Sequence, residues 1–226
     1  MALASEAGTD VPEPPTSATG SGDEPWWHSR WRLLVMGLAL VFLGVAAGYA
    51  WFGRTDVPDR DSVDVGFLQD MRYHHDQAVA MALMFREKPA EGQDPALRQV
   101  AGEVLLGQQL ENGYMVRMLA GWGRSEANES GEALRWMGMP VALEHMPGLA
   151  SREDMKRLQA ATGREADVLF ATLLRAHHEG GLHLAEEAAR RAGTPEVRRL
   201  ADGMHDAQRD EIGMLDQIIA RLQRSG

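Results

Sequence analysis

The chain has 226 residues, a net charge of −10 and no cysteine. The missing cysteines exclude disulfides and thiolate metal sites, and the acidic balance speaks against nucleic acid, which needs clustered Lys and Arg to displace counterions. The length fits one domain of roughly 160 residues plus an appendage, enough to bury a core unaided. Thirteen methionines serve first as core filler and only second as soft metal ligands.

Residues 1–30 are rich in Ala, Gly, Ser, Pro and acids without apolar period, and read as a disordered tail. Trp26-Trp27-His28-Ser29-Arg30-Trp31-Arg32 then leads into Leu33 to Phe52, which carries no charge. That run is long enough to span a hydrocarbon core, so residues 31–53 are assigned as a transmembrane helix or signal anchor. The Trp cluster and Tyr49-Trp51 suit its two interfaces. Arg30 and Arg32 precede it, whereas Arg54 and Arg60 are mixed with Asp56, Asp59 and Asp61. Positive charge stays inside, which places the tail in the cytoplasm and everything after Phe52 outside. A cleaved signal peptide is the rival reading, with Gly48-Tyr49-Ala50 a poor cleavage site. Residues 54–61 form a charged linker.

Residues 62–226 predict an all-α, antiparallel four-helix bundle with an irregular insert at 123–163. The first helix spans about 62–86 and stops before Pro89. Asp94 caps the second, with Pro95 in its first turn, and it runs to about Gly121. The insert is Gly, Ser, Glu and Met rich as far as residue 150. Ser151-Arg152-Glu153-Asp154 then opens a short helix ending near Gly163. The third long helix covers about 165–192, and Thr194-Pro195 starts the fourth, to about Arg224. No segment alternates as a strand would.

The four helices are two hairpins of one design. Asp64-x-x-Phe67-x-x-x-Met71-x-x-His74-His75-Asp76 returns as Asp167-x-x-Phe170-x-x-x-Leu174-x-x-His177-His178-Glu179, at a constant offset (167 − 64 = 103). Pro95-x-Leu97 ahead of Gln108-x-x-Glu111 returns as Pro195-x-Val197 ahead of Gln208-x-x-Glu211 (208 − 108 = 100).

At about 100° per residue, Phe67, Met71, His74, Ala78, Met81 and Phe85 share one stripe, while His75 lies about 80° round. Phe170, Leu174, His177, Gly181, Leu184 and Ala188 repeat the pattern, with His178 at the edge. One histidine of each pair therefore faces the core, and the other faces a groove. Gln108 with Glu111, and Gln208 with Glu211, stand on the core lines of the second and fourth helices. An internal cluster of His74, His177, Glu111, Glu211, Gln108 and Gln208 follows, flanked by Met71, Met115 and Met204.

Neutral imidazole and carboxylate are first-choice ligands for divalent transition metals, and bundles build metal sites from facing helices. A buried hydrogen-bond network that only fixes the topology is the competing reading. Glu-x-x-His, the di-iron signature, is missing; Asp202-x-x-His205 approaches it once. Met71 and Met81 near His74 would suit Cu(I), but Leu174 and Leu184 replace them in the second half. His183 falls on the exposed side. His145 and Met146, with Met137 and Met139, read as ordinary loop packing. No Ser-His-Asp set, phosphate loop or acid-base carboxylate pair is present, so no enzyme is expected.

At these residues the chain resembles the domain of unknown function 305 family. The carrying matches are Phe67-x-x-x-Met71-x-x-His74-His75 with Ala78 and Met81, and Gln108-x-x-Glu111 with Met115. In the second half they are Met146-Pro147-Gly148-Leu149-Ala150-Ser151, Phe170 through His177-His178-Glu179-Gly180-Gly181, and Gln208-x-x-Glu211. The resemblance covers about residues 62–222. It implies a ferritin-like four-helix fold, usually secreted or membrane-anchored, with copper binding in some members. Leu174 and Leu184 stand where the family often has Met, and Asn112 where Ile usually follows the Glu.

The sequence thus predicts a single-pass, membrane-anchored, extracytoplasmic bundle that binds a transition metal, copper before zinc or iron, for sequestration, buffering or delivery. Its ligand candidates are His74, His75, His177, His178, Glu111, Glu211 and Met71, supported by Gln108, Gln208, Met115 and Met204. Its partners are the metal ion and, through the N-terminal helix, the membrane. The alternative is a structural or partner-binding bundle whose working surface is the 123–150 segment.

Overall fold

The computed structural model describes residues 30–52 and 57–224. The tail expected over 1–30 lies, apart from its last residue, outside them, as do residues 54–56 of the linker. The chain divides into two compact units, Met1–Asp56 and Val57–Gly226.

In the first unit, α1 (Arg30–Phe52) contains the stretch Trp31–Tyr49, with a mean hydropathy of 2.0 and none of it buried. It is long and apolar enough to cross a membrane, and a signal sequence meets the same description.

The second unit is all-α apart from one small turn. Its long helices are α2 (Val63–Arg86), α3 (Pro95–Gly121), α5 (Gly163–Arg191) and α6 (Pro195–Arg224), with the short α4 (Arg152–Ala160) ahead of α5. Polar side chains define the starts. Ser62 accepts from Val65 N at the head of α2, Asp94 from Ala96 N and Leu97 N at α3, and Ser151 from Asp154 N at α4. Pro95 and Pro195 occupy first-turn positions, where a missing N–H costs nothing.

Contacts run mainly within the hairpins α2/α3 and α5/α6 and between α2 and α5, with a lighter contact of α3 and α6. The pairing is antiparallel, because each apolar cluster joins opposite ends of neighbouring helices. One cluster takes Phe67 and Met71 from the start of α2, Met115 and Leu119 from the end of α3, Leu184 and Ala188 from the end of α5, and Val197 and Met204 from the start of α6. The other takes Met81 and Phe85, Leu97 and Val104, Phe170 and Leu174, and Leu215 and Leu222, from the opposite ends. Phe85 and Phe170 stack in it, 4.3 Å apart.

Two aspartates at equivalent places in the repeat tie each hairpin to the other. Asp64 on α2 accepts from Gly193 N (2.7 Å), Thr194 N (2.8 Å) and Thr194 Oγ1 (2.8 Å), in the turn between α5 and α6. Asp167 on α5 accepts from Asp94 N (2.9 Å), in the turn between α2 and α3. Burial pushes the Asp167 carboxyl above the usual carboxylate range, against the pull of the Asp94 amide.

The insert is more ordered than expected. Strands β1 (Glu132–Ala133) and β2 (Val141–Ala142) pair antiparallel, Glu132 opposite Ala142. Two residues per strand are too few to show alternation. Asp70 of α2 gathers the turn, accepting from Leu134 N (2.7 Å), Trp136 Nε1 (3.0 Å) and Asn128 Nδ2 (2.7 Å). This holds Leu134 at a φ of 62°, uncommon for a branched side chain. Trp136 packs edge-on against Phe67, at 5.9 Å. Met146 is buried, and among the segment's large apolar side chains only Met139 is exposed, so an apolar docking patch is not found there. His145 is exposed too, and contributes no ligand to the interior.

Candidate metal centre

The two apolar clusters are separated by a polar layer at the middle of the four helices. Between Met71 and Ala78 of α2 lie His74 and His75; between Leu174 and Leu184 of α5 lie His177 and His178. All four imidazoles are fully buried. The expectation that His75 and His178 face a groove is therefore wrong. A helix in a hairpin has two seams, one to its sister helix and one to the other hairpin. Side chains about 100° apart fill one each.

His75 and His178 fill the seams inside the hairpins. His75 Nε2 lies 2.8 Å from Glu111 Oε2 on α3. His178 Nε2 lies 2.6 Å from Glu211 Oε2 on α6, off the line of a hydrogen bond. Both glutamates reach in from the edge, with side chains 24% and 27% exposed. They are thus not in the inner cluster, and they meet the flanking histidines instead of His74 and His177. The expected cluster also names Gln108 and Gln208, and both are buried, as is Asn112. Met71, Met115 and Met204 are buried in the apolar cluster on one side of the layer. His183 is exposed and His205 half-buried on the outside.

His74 and His177 fill the seam between hairpins. Their rings lie 3.8 Å apart, centre to centre, tilted by 38°. His177 Nε2 is 2.9 Å from the carbonyl oxygen of His74, and His74 Nε2 is 3.1 Å from that of Pro147. A carbonyl only accepts, so in both rings Nε2 carries the proton and donates. Burial first, and then the neighbouring His75, lower the His74 pKa to about 3. Burial, and then His74, hold that of His177 well below its ordinary value. Both rings are neutral at pH 7, with the lone pair on Nδ1.

Pro147 can reach His74 because the insert presses its backbone onto α5. Gly148, at a φ of +84°, sits so close that a Cβ there would stand 2.7 Å from the His177 carbonyl oxygen. A Cβ on Gly180 would overlap the Pro147 carbonyl and approach Gly148 Cα to 2.6 Å. On the other side Gln77 of α2 grips the same segment, donating to Ala150 O (3.0 Å) and accepting from Ala150 N (2.6 Å).

What the layer lacks is donors. Nδ1 of His74, His75 and His177, one ring nitrogen of His178 (neither of its two has a partner), Oε1 of Gln108 and Gln208, and Oδ1 of Asn112 are buried acceptors with no hydrogen-bond partner. Every one of these atoms can offer a lone pair. Leaving a buried acceptor unmatched costs about 1–3 kcal/mol, and a cation answers several at once. The donor types therefore fit a transition metal. Among the described residues, however, no three or more His, Asp or Glu are gathered as a set that could hold a metal ion.

The family model described as "Domain of unknown function (DUF305)" matches residues 64–219. The chain belongs to the DUF305 family. A DUF305 protein of known structure from Streptomyces coelicolor, called a secreted protein, is 32% identical over 73% of this chain and 96% of its own, with a TM-score of 0.67. A DUF305 fragment from Deinococcus radiodurans is 27% identical over 70% of this chain and 96% of its own, at a TM-score of 0.59. CopM in its Cu(II)-bound form shares the fold at 21% identity and a TM-score of 0.50, over 70% of this chain and 96% of its own. A search of curated proteins gives no match to this chain. No name among these DUF305 relatives denotes a reaction.

Proposed function

We propose that this DUF305 protein binds a transition metal, copper in preference to zinc or iron, in the histidine layer, outside the cytoplasm and anchored by α1. Its role is sequestration, buffering or delivery. One observation carries the reading: all four buried imidazoles leave Nδ1 unpartnered, with Nε2 hydrogen-bonded to a carbonyl or carboxylate oxygen in three of them and close to the Glu211 carboxylate in His178. Metal-binding histidines are oriented in this way, one ring nitrogen held by an acceptor and the other left for the ion. His74 and His177 are the leading ligands, and His75 and His178 join them. In this reading Glu111 and Glu211 orient the flanking rings and raise their basicity. Met71 offers a thioether to a soft ion in the first half only, since Leu174 holds the equivalent place. When bound, the metal supplies the positive charge that the layer's lone pairs lack. The copper-bound form of CopM and the secreted description of the Streptomyces coelicolor protein support the metal and the compartment.

Elemental analysis of protein purified without chelator tests this, followed by titration with Cu(I), Cu(II) and Zn(II) under matched competition. About one metal per chain is expected, and its loss in the His74→Gln, His177→Gln double variant, which keeps polar side chains in the layer. Full stoichiometry in that variant would put the site elsewhere. Binding no better than that of an unrelated acidic helical protein would make the layer architectural.

A further inference from the structure

Opposite its buried face, α3 shows an apolar stripe to solvent. Leu106, Leu110 and Tyr114, one turn apart, are 75%, 59% and 45% exposed. The second hairpin shows that the fold does not require them. With the offset of 100 between α3 and α6, the same places carry Asp206, Asp210 and Met214. Both aspartates lie beside Arg209 in ion pairs.

The stripe is symmetric about Leu110. Glu103 and Arg117 lie seven residues to either side, Leu106 and Tyr114 four, and Gly107 and Gly113 three. At about 100° per residue all of them fall within roughly 60° of Leu110. Glu103, Gly107, Gly113 and Arg117 are exposed as well. A Cβ on either glycine would find no atom within 4 Å, so the backbone there is open to close approach.

We propose that this face of α3 is a homodimer interface, in which two copies of α3 cross antiparallel about a two-fold axis at Leu110. A two-fold contact brings the same patch of both copies together. An antiparallel crossing at residue 110 sets each position against the one equally far on the other side. Glu103 of each copy then faces Arg117 of the other, Leu106 faces Tyr114, Leu110 meets its own mate, and the glycines let the backbones close. Parallel pairing would set Glu103 against Glu103 and Arg117 against Arg117. The face of α6 cannot pair in this way, because Asp210 would meet Asp210. Charge complementarity selects the occupant: a lipid surface gains nothing from an acid and a base equidistant from the apolar centre, whereas a second copy uses both.

The absence of cysteine makes the register directly testable in the full chain, oxidised with diamide and run on a non-reducing gel. Leu110→Cys is expected to cross-link into dimers, and Asp210→Cys, its counterpart on α6, to stay monomeric. Leu106→Cys and Tyr114→Cys should each remain mostly monomeric, because a residue and its mate would be about 12 Å apart along the helices, beyond disulfide reach. Mixed together, those two should cross-link. Glu103→Arg should weaken dimerisation several-fold, and adding Arg117→Glu should restore it. All these positions are exposed, so helicity by circular dichroism should be unchanged. Leu110→Cys cross-linking no more than Asp210→Cys, or Leu106→Cys linking to itself, overturns the proposal. So does a charge swap that fails to restore the dimer. A Leu110→Cys chain that stays monomeric, and is shielded from a water-soluble thiol reagent only by membranes, overturns it in favour of lipid.

Discussion

In the hairpin of α2 and α3, His75 reaches Glu111 and His74 reaches the Pro147 carbonyl. In the hairpin of α5 and α6, His178 reaches Glu211 and His177 reaches the backbone of His74. The flanking histidines thus meet equivalent glutamates, while the two inner ones meet different partners. The difference comes from the insert. It follows the first hairpin, and the first hairpin carries the groups that hold it: Asp70, where α5 has Leu173, and Gln77, where α5 has Gly180. On the outside the halves diverge again, apolar along α3 and charged along α6. Residues shared by the repeat build the layer and the joint between the hairpins. Residues that differ hold the insert or shape a surface.

Acid should have the largest effect, and should treat the inner histidines alike. Both refuse protons that the unfolded chain accepts. The stability they contribute is therefore present above pH 6.5 and is lost as pH falls toward about 3, the His74 value. In metal-free protein each ring accounts for up to about 1.4 kcal/mol per pH unit below 6.5. Asp70 and Asp167, whose pKa values burial raises, oppose this, since their contribution grows as pH falls. Urea unfolding at stepped pH should show the loss, and His74→Gln or His177→Gln should each remove about half of the slope. A flat profile between pH 6.5 and 4 would refute it, and unequal halves would show that the Pro147 contact sets the inner rings apart.

Next comes the contact that breaks the symmetry. Gly180→Ala drives a Cβ into the backbone of Pro147 and Gly148, and should cost about 3 kcal/mol. Gly181→Ala meets only the end of the Gln208 side chain, which can turn away, so its cost should be under about 1.5 kcal/mol. Equal losses in denaturant titration would mean that the insert does not press on α5. The smallest contrast is between the linking aspartates. Asp64→Ala strips three hydrogen bonds and should cost about 2–3 kcal/mol. Asp167→Ala strips the bond from the Asp94 amide and should cost about 1 kcal/mol. The reverse order would contradict the bonding described.

Helical phase alone placed His74 and His177 in the interior, because a strong stripe ran through both. It misplaced His75 and His178, since one stripe describes one seam and a hairpin helix has two. It set Glu111 and Glu211 too deep, because phase locates a Cα line and says nothing of a long side chain reaching in from an edge. The seat of the insert was not legible, although Gly180-Gly181 in mid-helix was a signal. Glycine there costs about 1 kcal/mol against Ala, and close backbone packing is a common reason to keep it. Asp64 and Asp167 were visible as recurring residues, but their targets lie in the opposite turns, which no local pattern reveals.

Those crossed aspartates bear on how the chain comes together. The first hairpin leaves the ribosome with the Asp94 amide waiting for residue 167, and with Asp64 waiting for residues 193 and 194. Neither half can finish its own turn. Folding should therefore complete only after nearly the whole chain has emerged, and a tear in either hairpin should release both in one step, leaving no stable half-molecule.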